Sequence, residues 1–264
     1  MDALITPTTA APPPVRALPI ATQGAMLLRL LAVQGSWNYE NLAGNGIAFC
    51  IEPALRLLPG GRGGEAYRTA LAREARFFNA HPYLAAVAVG ALARAELDGE
   101  PGARIDRFRT ALCGPLGSVG DQLVWAGWLP LCSVLALCAY AFGASAGAVL
   151  AVFLGLYNAG HLALRAWGLR TGWRGGLRVA TALGNPLLRR GPALLARAVA
   201  LAGGAAVPLA LHRLAGGGEP LAAIVVAVAV GVVLLARSHD RLHGWQLALV
   251  LLIALALFSV ARHG

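Results

Sequence analysis

Residues 123–164 read LVWAGWLPLCSVLALCAYAFGASAGAVLAVFLGLYNAGHLAL, without one Asp, Glu, Lys or Arg. A helix needs about 20 predominantly apolar residues to cross the hydrocarbon of a bilayer. The run holds two such lengths, 123–142 and 145–164, joined by the uncharged hinge FGASAG at 142–147. Ala, Leu and Gly dominate it, and small residues let helices approach closely, as in a tightly packed bundle. The chain has no series of alternating segments of about ten residues separated by turns, so a membrane barrel does not fit.

Three further apolar stretches, 192–211, 221–236 and 245–261, bring the expected number of spans to about five. Composition agrees: 58% of the 264 residues are apolar or aromatic and 13% charged, where a soluble domain carries about 25% charged residues. The mean hydropathy is +0.64. The expected class is an all-α membrane protein, a helical bundle. Residues 1–20 read as a disordered Pro/Ala leader with no basic region before an apolar core, so the hydrophobic segments are expected to be retained as spans. Residues 21–110 read as amphipathic helices with one short buried or re-entrant segment, and 111–264 as the transmembrane region.

Within 21–110, residues 23–33 suit a short amphipathic helix at the membrane surface. Residues 34–60 read as loop and helix, and GGRGG at 60–64 as a flexible turn. Residues 65–79 place Tyr67, Leu71 and Ala75 or Phe78 on one face, with Arg68, Arg73 and Arg76 exposed. Residues 83–97 are apolar but too short to cross. Such a segment must be covered by protein or by a water-filled cavity. Residues 98–109 read as a polar loop of cytoplasmic type.

The net charge is +10, and all 22 basic residues are Arg. They flank apolar runs rather than interleaving with aromatics, which fits cytoplasmic loops and anionic headgroups and not a nucleic-acid surface. The stretch 165–190, with Arg165, Arg170, Arg174, Arg178, Arg189 and Arg190 and no acid, is expected on the cytoplasmic side. The 142–147 hinge and 212–220 then lie outside, 237–244 inside and the C-terminus outside, with a cytoplasmic N-terminus.

No hydrolase, kinase or nucleotide signature is present. Gly44-Asn45-Gly46 and Gly60-Gly61 lack the strand–helix unit or Lys of a phosphate loop. The six His do not form a ligand set; His239 and His243, four apart, read as an interfacial basic turn. Cys50, Cys113, Cys132 and Cys138 contain no CxxC pair and read as buried small hydrophobes. No cofactor, metal or catalytic residue is expected.

Chemistry concentrates in FFNAHPYLAAVAVGALARAE at 77–96 and GPLGSVGDQLVWAGWLP at 114–130. Asp121 opens an apolar run after a Gly- and Pro-rich approach. A carboxylate at that depth is a functional candidate, and an N-cap or first-turn Asp complementing the helix dipole is the plainer reading. Gly114, Gly117 and Gly120 recur every third position, as in close-packed or unwound backbone beside a ligand. Trp125 and Trp128 are either interface anchors or a stacking surface. Asn79 and His81 can hydrogen-bond hydroxyls, although Asn79 also suits a cap. Glu96 reads as an ordinary cytoplasmic charge.

Gln34-Gly35-Ser36-Trp37-Asn38-Tyr39-Glu40, Gly46-Ile47-Ala48-Phe49 with Pro53-Ala54-Leu55, Phe77-Phe78-Asn79-Ala80-His81-Pro82, and Gly114-Pro115-Leu116 followed by Gly120-Asp121 and Trp125 appear in that order. The series resembles the IID subunits of the mannose/fructose/sorbose family of the sugar phosphotransferase system, over residues 34 to about 175. The resemblance implies a membrane subunit paired with a IIC subunit. The oligomeric complex would move a hexose while IIA and IIB proteins pass phosphate to it, and the IID chain would carry no phosphorylated residue. Asn38, Asn79, His81, Asp121 and Trp125 are the residues it implies for the sugar. Leu129 stands before Pro130 where the family usually has Arg, and Trp128, Leu97 and Gln122 also depart from its pattern. Loss of a bidentate donor motivates the alternative, a regulatory or scaffolding membrane protein on the same fold that does not transport.

Overall fold

The computed structural model describes residues 17–179, 184–214 and 216, with scattered helical positions between Val225 and Val233. The described residues are helical, with two isolated β-bridges, Asn38 to Leu42 and Leu42 to Phe78. Most of the span expected at 221–236, all of that at 245–261, most of the leader, and His239 and His243 lie outside the described residues. Packing divides the chain into one unit of Met1–Cys132 with Leu154–Val199 and another of Ser133–Phe153 with Ala200–Gly264.

In the first unit, α1 (Ile20–Leu30) buries Met26 and Leu30, one turn apart, and exposes Ile20 and Leu28. Helix α2 (Gly44–Leu55) buries Ile47, Ile51 and Leu55 at i, i+4 and i+8. Helix α3 (Glu65–Glu74) turns Tyr67, Ala70 and Glu74 inward. Glu52, on α2, accepts bonds from Arg29 (2.8 Å), Arg56 (2.7 Å), Arg62 (3.2 Å) and the Tyr67 hydroxyl (3.0 Å). These donors, Arg56 first, hold its carboxyl down at about 2 against the opposing effect of burial.

The short apolar segment becomes α4 (Ala85–Leu97), in which every residue from Ala85 to Glu96 is buried. Protein covers it, which is the condition for a helix this apolar and too short to cross. Burying Val or Leu stabilises by about 1.5–3 kcal/mol per side chain, so Val87, Val89 and Leu92 make α4 the centre of this unit. Its neighbour approaches through glycine: a Cβ on Gly90 would overlap the Leu169 carbonyl, and one on Gly172 the Val87 carbonyl. Such small-residue seams bring helix backbones into contact.

Helix α5 (Gly102–Gly120), a π-helical segment (Asp121–Trp128) and α6 (Leu129–Ala141) form one continuous helix of 40 residues. Three sequence expectations change here. The polar loop ends at Pro101, after which Ile105, Arg109, Leu112 and Leu116 supply a buried helical stripe. The helix does not begin near 123, so Asp121 (φ −62°, ψ −44°) is no N-cap. The Gly-rich backbone at 114–120 is wound. The π segment has a local cause in Pro130. Proline lacks an N–H and its ring crowds the carbonyl four residues back, here that of Ala126, and a wider turn relieves both.

Helix α7 (Ala146–Gly175) and α8 (Pro186–Leu214) follow. The 142–147 hinge is present as the break between α6 and α7. The Arg-rich stretch is not a loop throughout: α7 continues to Gly175, and Arg165 is buried at 5% exposure. Three helical stretches among the described residues are long and apolar enough to cross a membrane, Gly102–Ala141, Ala146–Arg178 and Leu188–Leu214. In the second unit the Arg213 guanidinium covers the Tyr140 ring at 4.5 Å and donates to the Tyr140 carbonyl.

Candidate functional site

Segment 78–83, which links α3 to α4, is fixed from both sides by main-chain bonds. Phe78 donates to the Asn41 carbonyl (3.2 Å) and its own carbonyl accepts from Ala43 (3.0 Å). His81 donates to the Leu116 carbonyl on α5 (3.3 Å). Glycine lets the helix come this close. A Cβ on Gly120 would overlap the His81 ring, and one on Gly117 would stand 4.0 Å from the Asn79 amide nitrogen. The Trp125 ring lies 5.0 Å from the His81 ring.

The structure thus brings Asn79, His81 and Trp125 together along one side of the α5–π helix. Asp121 is exposed, its backbone N–H bonds to the Gly117 carbonyl, and it follows Gly120 on the same stretch. Asn38 does not join them by its side chain. Its Oδ1 accepts from Glu40 (3.0 Å) and Asn41 (2.8 Å) and its Nδ2 donates to the Ser36 carbonyl (3.2 Å), which shapes a turn. That turn places Leu42 at φ 48°, rare for a residue with a branched side chain.

His81 is 2% exposed. Its Nδ1 accepts the Tyr83 backbone N–H at 3.2 Å, so the neutral ring carries its proton on Nε2, which is buried without a partner. Burial, and then the Arg165 charge, lower its pKa to about 4, keeping the ring neutral near neutral pH.

Behind His81 stands a group that reading the sequence missed. The Tyr83 hydroxyl pairs with that of Tyr157 at 2.6 Å, and the Tyr83 ring stacks on His161 at 5.0 Å. The Arg165 guanidinium lies over the Tyr83 ring, 4.4 Å from its centroid. It donates Nε–H to the Leu30 carbonyl (3.1 Å) and Nη1–H to His161 Nδ1 (2.8 Å). A guanidinium only donates, so the His161 proton sits on Nε2, which donates to Asn158 Oδ1 at 2.9 Å. Asn158 in turn donates to the Leu154 carbonyl (2.7 Å). The i, i+3 and i, i+4 spacing of Asn158, His161 and Arg165 was the available signal. Among the described residues no carboxylate forms an ion pair with Arg165.

A cavity of about 180 Å³ adjoins the cluster, lined by Tyr83, Leu123, Val124, Trp128, Gly160, His161, Leu164 and Leu195. The Trp128 indole packs where Gly160 leaves room, and its N–H is buried without an acceptor. Buried polar groups are normally paired. The site thus carries two unused donors, His81 Nε2 and Trp128 Nε1, beside aromatic faces. That chemistry suits an uncharged ligand with oxygen acceptors and an apolar ring face. Among the described residues no group of three or more His, Cys, Asp or Glu could hold a metal ion.

The family model described as the PTS system mannose/fructose/sorbose family IID component matches residues 20–194. The mannose-specific EIID component of Escherichia coli (strain K12) is 32% identical over 171 residues, 62% of this chain and 59% of that protein. The sorbose-specific EIID component of Klebsiella pneumoniae is 32% identical over 177 residues, 64% of this chain and 63% of that protein. The fructose permease IID component of Bacillus subtilis (strain 168) is 31% identical over 162 residues. The chain thus matches about three fifths of the length of these relatives. Among solved structures, one described as a membrane protein aligns with 93% of this chain at a TM-score of 0.67 and 23% identity. A chain in the complex of the mannose transporter ManYZ with microcin E492 aligns with 92% at 0.53 and 22%. These two show a shared membrane-protein fold. Because the family model covers well over half of its residues, the chain belongs to the IID components of the mannose/fructose/sorbose family of the sugar phosphotransferase system.

Proposed function

We propose that this chain is the IID half of a phosphoenolpyruvate-dependent sugar permease in a bacterial inner membrane, and that it builds one wall of a hexose path with a IIC subunit. The observation that carries the reading is the convergence of Asn79, His81 and Trp125 on one side of the α5–π helix, with Asp121 on the same stretch. Trp125 is 43% exposed beside a buried, neutral His81. Trp125 faces the sugar ring, Asp121 accepts from hydroxyls, and Asn79 both donates and accepts. Asn38 acts indirectly, by holding the turn that fixes Phe78. Tyr83, Trp128 and His161 form the inner lining.

A IIC partner covers the outward strip. Asp121, Gln122, Trp125 and Ala126 are all exposed on a helix otherwise suited to lipid, and a carboxylate is costly against hydrocarbon. The named solved relative is a mannose transporter, ManYZ, which supports a paired assembly here. IIA and IIB proteins supply phosphate on the cytoplasmic side, where the N-terminus lies, and the Arg-rich end of α7 meets anionic lipid headgroups. Helix α4 takes the part of the re-entrant segment, enclosed by its own chain.

Uptake of labelled mannose, fructose and sorbose by cells expressing this chain with a IIC subunit tests the site. Asp121→Ala should lower uptake at least tenfold while the variant still co-purifies with IIC. Unchanged uptake would remove Asp121 from the path. Assembly of the wild-type complex without uptake of any sugar would favour the regulatory alternative motivated by Leu129.

A further inference from the structure

The end of α7 and the start of α1 enclose a cavity of about 320 Å³ that the hexose path does not use. Part of its lining is apolar: Leu18 and Leu169 belong to the buried core, and Trp173 packs against that core. Arg170 and Arg174, one turn apart on α7, and Gln23 on α1 supply polar lining. Both walls are held in place. The α7 wall is held by the glycine seam with α4, where a Cβ on Gly90 would meet the Trp173 backbone nitrogen at 2.7 Å. The α1 wall is held by Met26 and Leu30, both fully buried. Gln23 Nε2 donates to the Leu18 carbonyl at 2.7 Å.

The charge here is one-sided. Arg170 and Arg174 are exposed, and no carboxylate among the described residues pairs with either. Like charges at i and i+4 repel, and residues 165–190 contain no acid to relieve them. The α7 dipole accounts for a cation in the last turn, Arg174, but not for Arg170. Arg94, over the Trp173 ring at 5.8 Å, is already paired with Asp98. The leader ahead of α1 holds one acid, Asp2, and one base, Arg16, so it brings no net negative charge. Beside the cavity runs an apolar strip. Ile20, Gln23, Leu27 and Leu31 share one face of α1 by their spacing, and Ile20 and Leu31 are exposed. The 11 residues of α1 extend over about 16 Å, comparable to an acyl chain.

We propose that this cavity is a site for one anionic phospholipid. Arg170 and Arg174 hold its phosphate, Gln23 and Trp173 border the headgroup, and an acyl chain lies along the Ile20–Leu31 face of α1. A phosphate offers acceptor oxygens to two guanidiniums at once, and Trp suits the level of the headgroups. The apolar lining and the exposed strip favour a lipid over a free phosphate. Arg170 stands about 9 Å along the helix beyond Leu164, where the uncharged run ends, at the edge of the headgroup layer. The bound lipid ties the start of α1 to the end of α7. The site rests on the membrane placement proposed above and is independent of the hexose path. It is narrower than a general attraction of the Arg-rich stretch to an anionic surface, in which Arg189 and Arg190 would take an equal part.

The test uses the purified full chain in phosphatidylcholine nanodiscs with and without phosphatidylglycerol. Phosphatidylglycerol should raise the melting temperature of the wild type by at least about 3 °C. Native mass spectra of the protein released from the mixed nanodiscs should retain one phosphatidylglycerol and no phosphatidylcholine. Arg170→Gln combined with Arg174→Gln should lose both signals. Arg189→Gln combined with Arg190→Gln, which removes the same charge from the same stretch, should keep them. Equal loss in the two double variants, or equal wild-type melting with and without phosphatidylglycerol, would overturn the site. A shift reproduced by inorganic phosphate in phosphatidylcholine nanodiscs would overturn the lipid as its occupant. If the first double variant does not fold, Arg174→Gln alone should lower the retained fraction, and an unchanged fraction would overturn the proposal. Failure of the chain to enter nanodiscs would overturn the membrane placement and the site with it.

Discussion

At the scale of single residues, the chain concentrates its polar chemistry where an Arg or a His cannot be solvated and must be held by neighbours. Glu52 shows what one such residue supports. It gathers Arg29, Arg56, Arg62 and Tyr67 from three parts of the chain, and removing one partner of a buried, hydrogen-bonded charge costs about 1–3 kcal/mol. Glu52→Gln should lower the melting temperature in calorimetry at neutral pH by about 3–8 °C. Because its folded pKa is depressed to about 2, the stability it contributes is present above the unfolded value and is lost as pH falls through about 2. The variant should therefore lose stability less steeply in acid than the wild type. His81 gives a second residue-scale outcome. His81→Gln, which keeps a donor, should retain more sugar uptake than His81→Ala, and the two rates measured at equal expression check it. Much of this scale escaped the sequence. Glu96 and Arg73 read as ordinary surface charges because burial is set by distant contacts, and Arg165 reads as a loop charge because an Arg in a positive run looks cytoplasmic. Asn38 was expected beside the sugar, but its side chain is consumed by its own turn.

At the scale of elements, glycine and proline decide the geometry. The seam between α4 and α7 closes because Gly90 and Gly172 have no side chain. Gly172→Val should abolish folded protein in size-exclusion chromatography, whereas Gly155→Ala, with nothing within 4 Å of its Cβ, should behave as the wild type. The π segment before Pro130 sets the direction of Trp125. Restoring the N–H with Pro130→Ala should let the segment rewind, carry Trp125 away from His81, and reduce uptake at unchanged expression. Tryptophan fluorescence quenching should report the movement. The hydropathy of 123–164 made α6 and α7 legible, and the length of 83–97 showed that α4 needed cover. Register was not legible. Nothing local announced that α5 begins at Gly102 and runs through Asp121 without a break, because polar residues on 102–113 hide a buried stripe that only the helical repeat of Ile105, Arg109, Leu112 and Leu116 reveals.

At the scale of the whole molecule, the ordered motifs between residues 34 and about 175 coincide with the region that the family model matches, 20–194. Each motif supplies a contact: Gly46 meets Val33, Phe78 meets Asn41 and Ala43, and Gly120 meets His81. The proposed role is that this chain completes a hexose path that a IIC subunit cannot form alone. The direct measurement is phosphoenolpyruvate-dependent uptake of labelled mannose, fructose and sorbose into vesicles holding a IIC subunit and its soluble phosphocarriers, with and without this chain. Uptake of at least one of these sugars should occur only when the chain is present. Equal uptake without the chain, or none when a fully assembled complex is present, would contradict it.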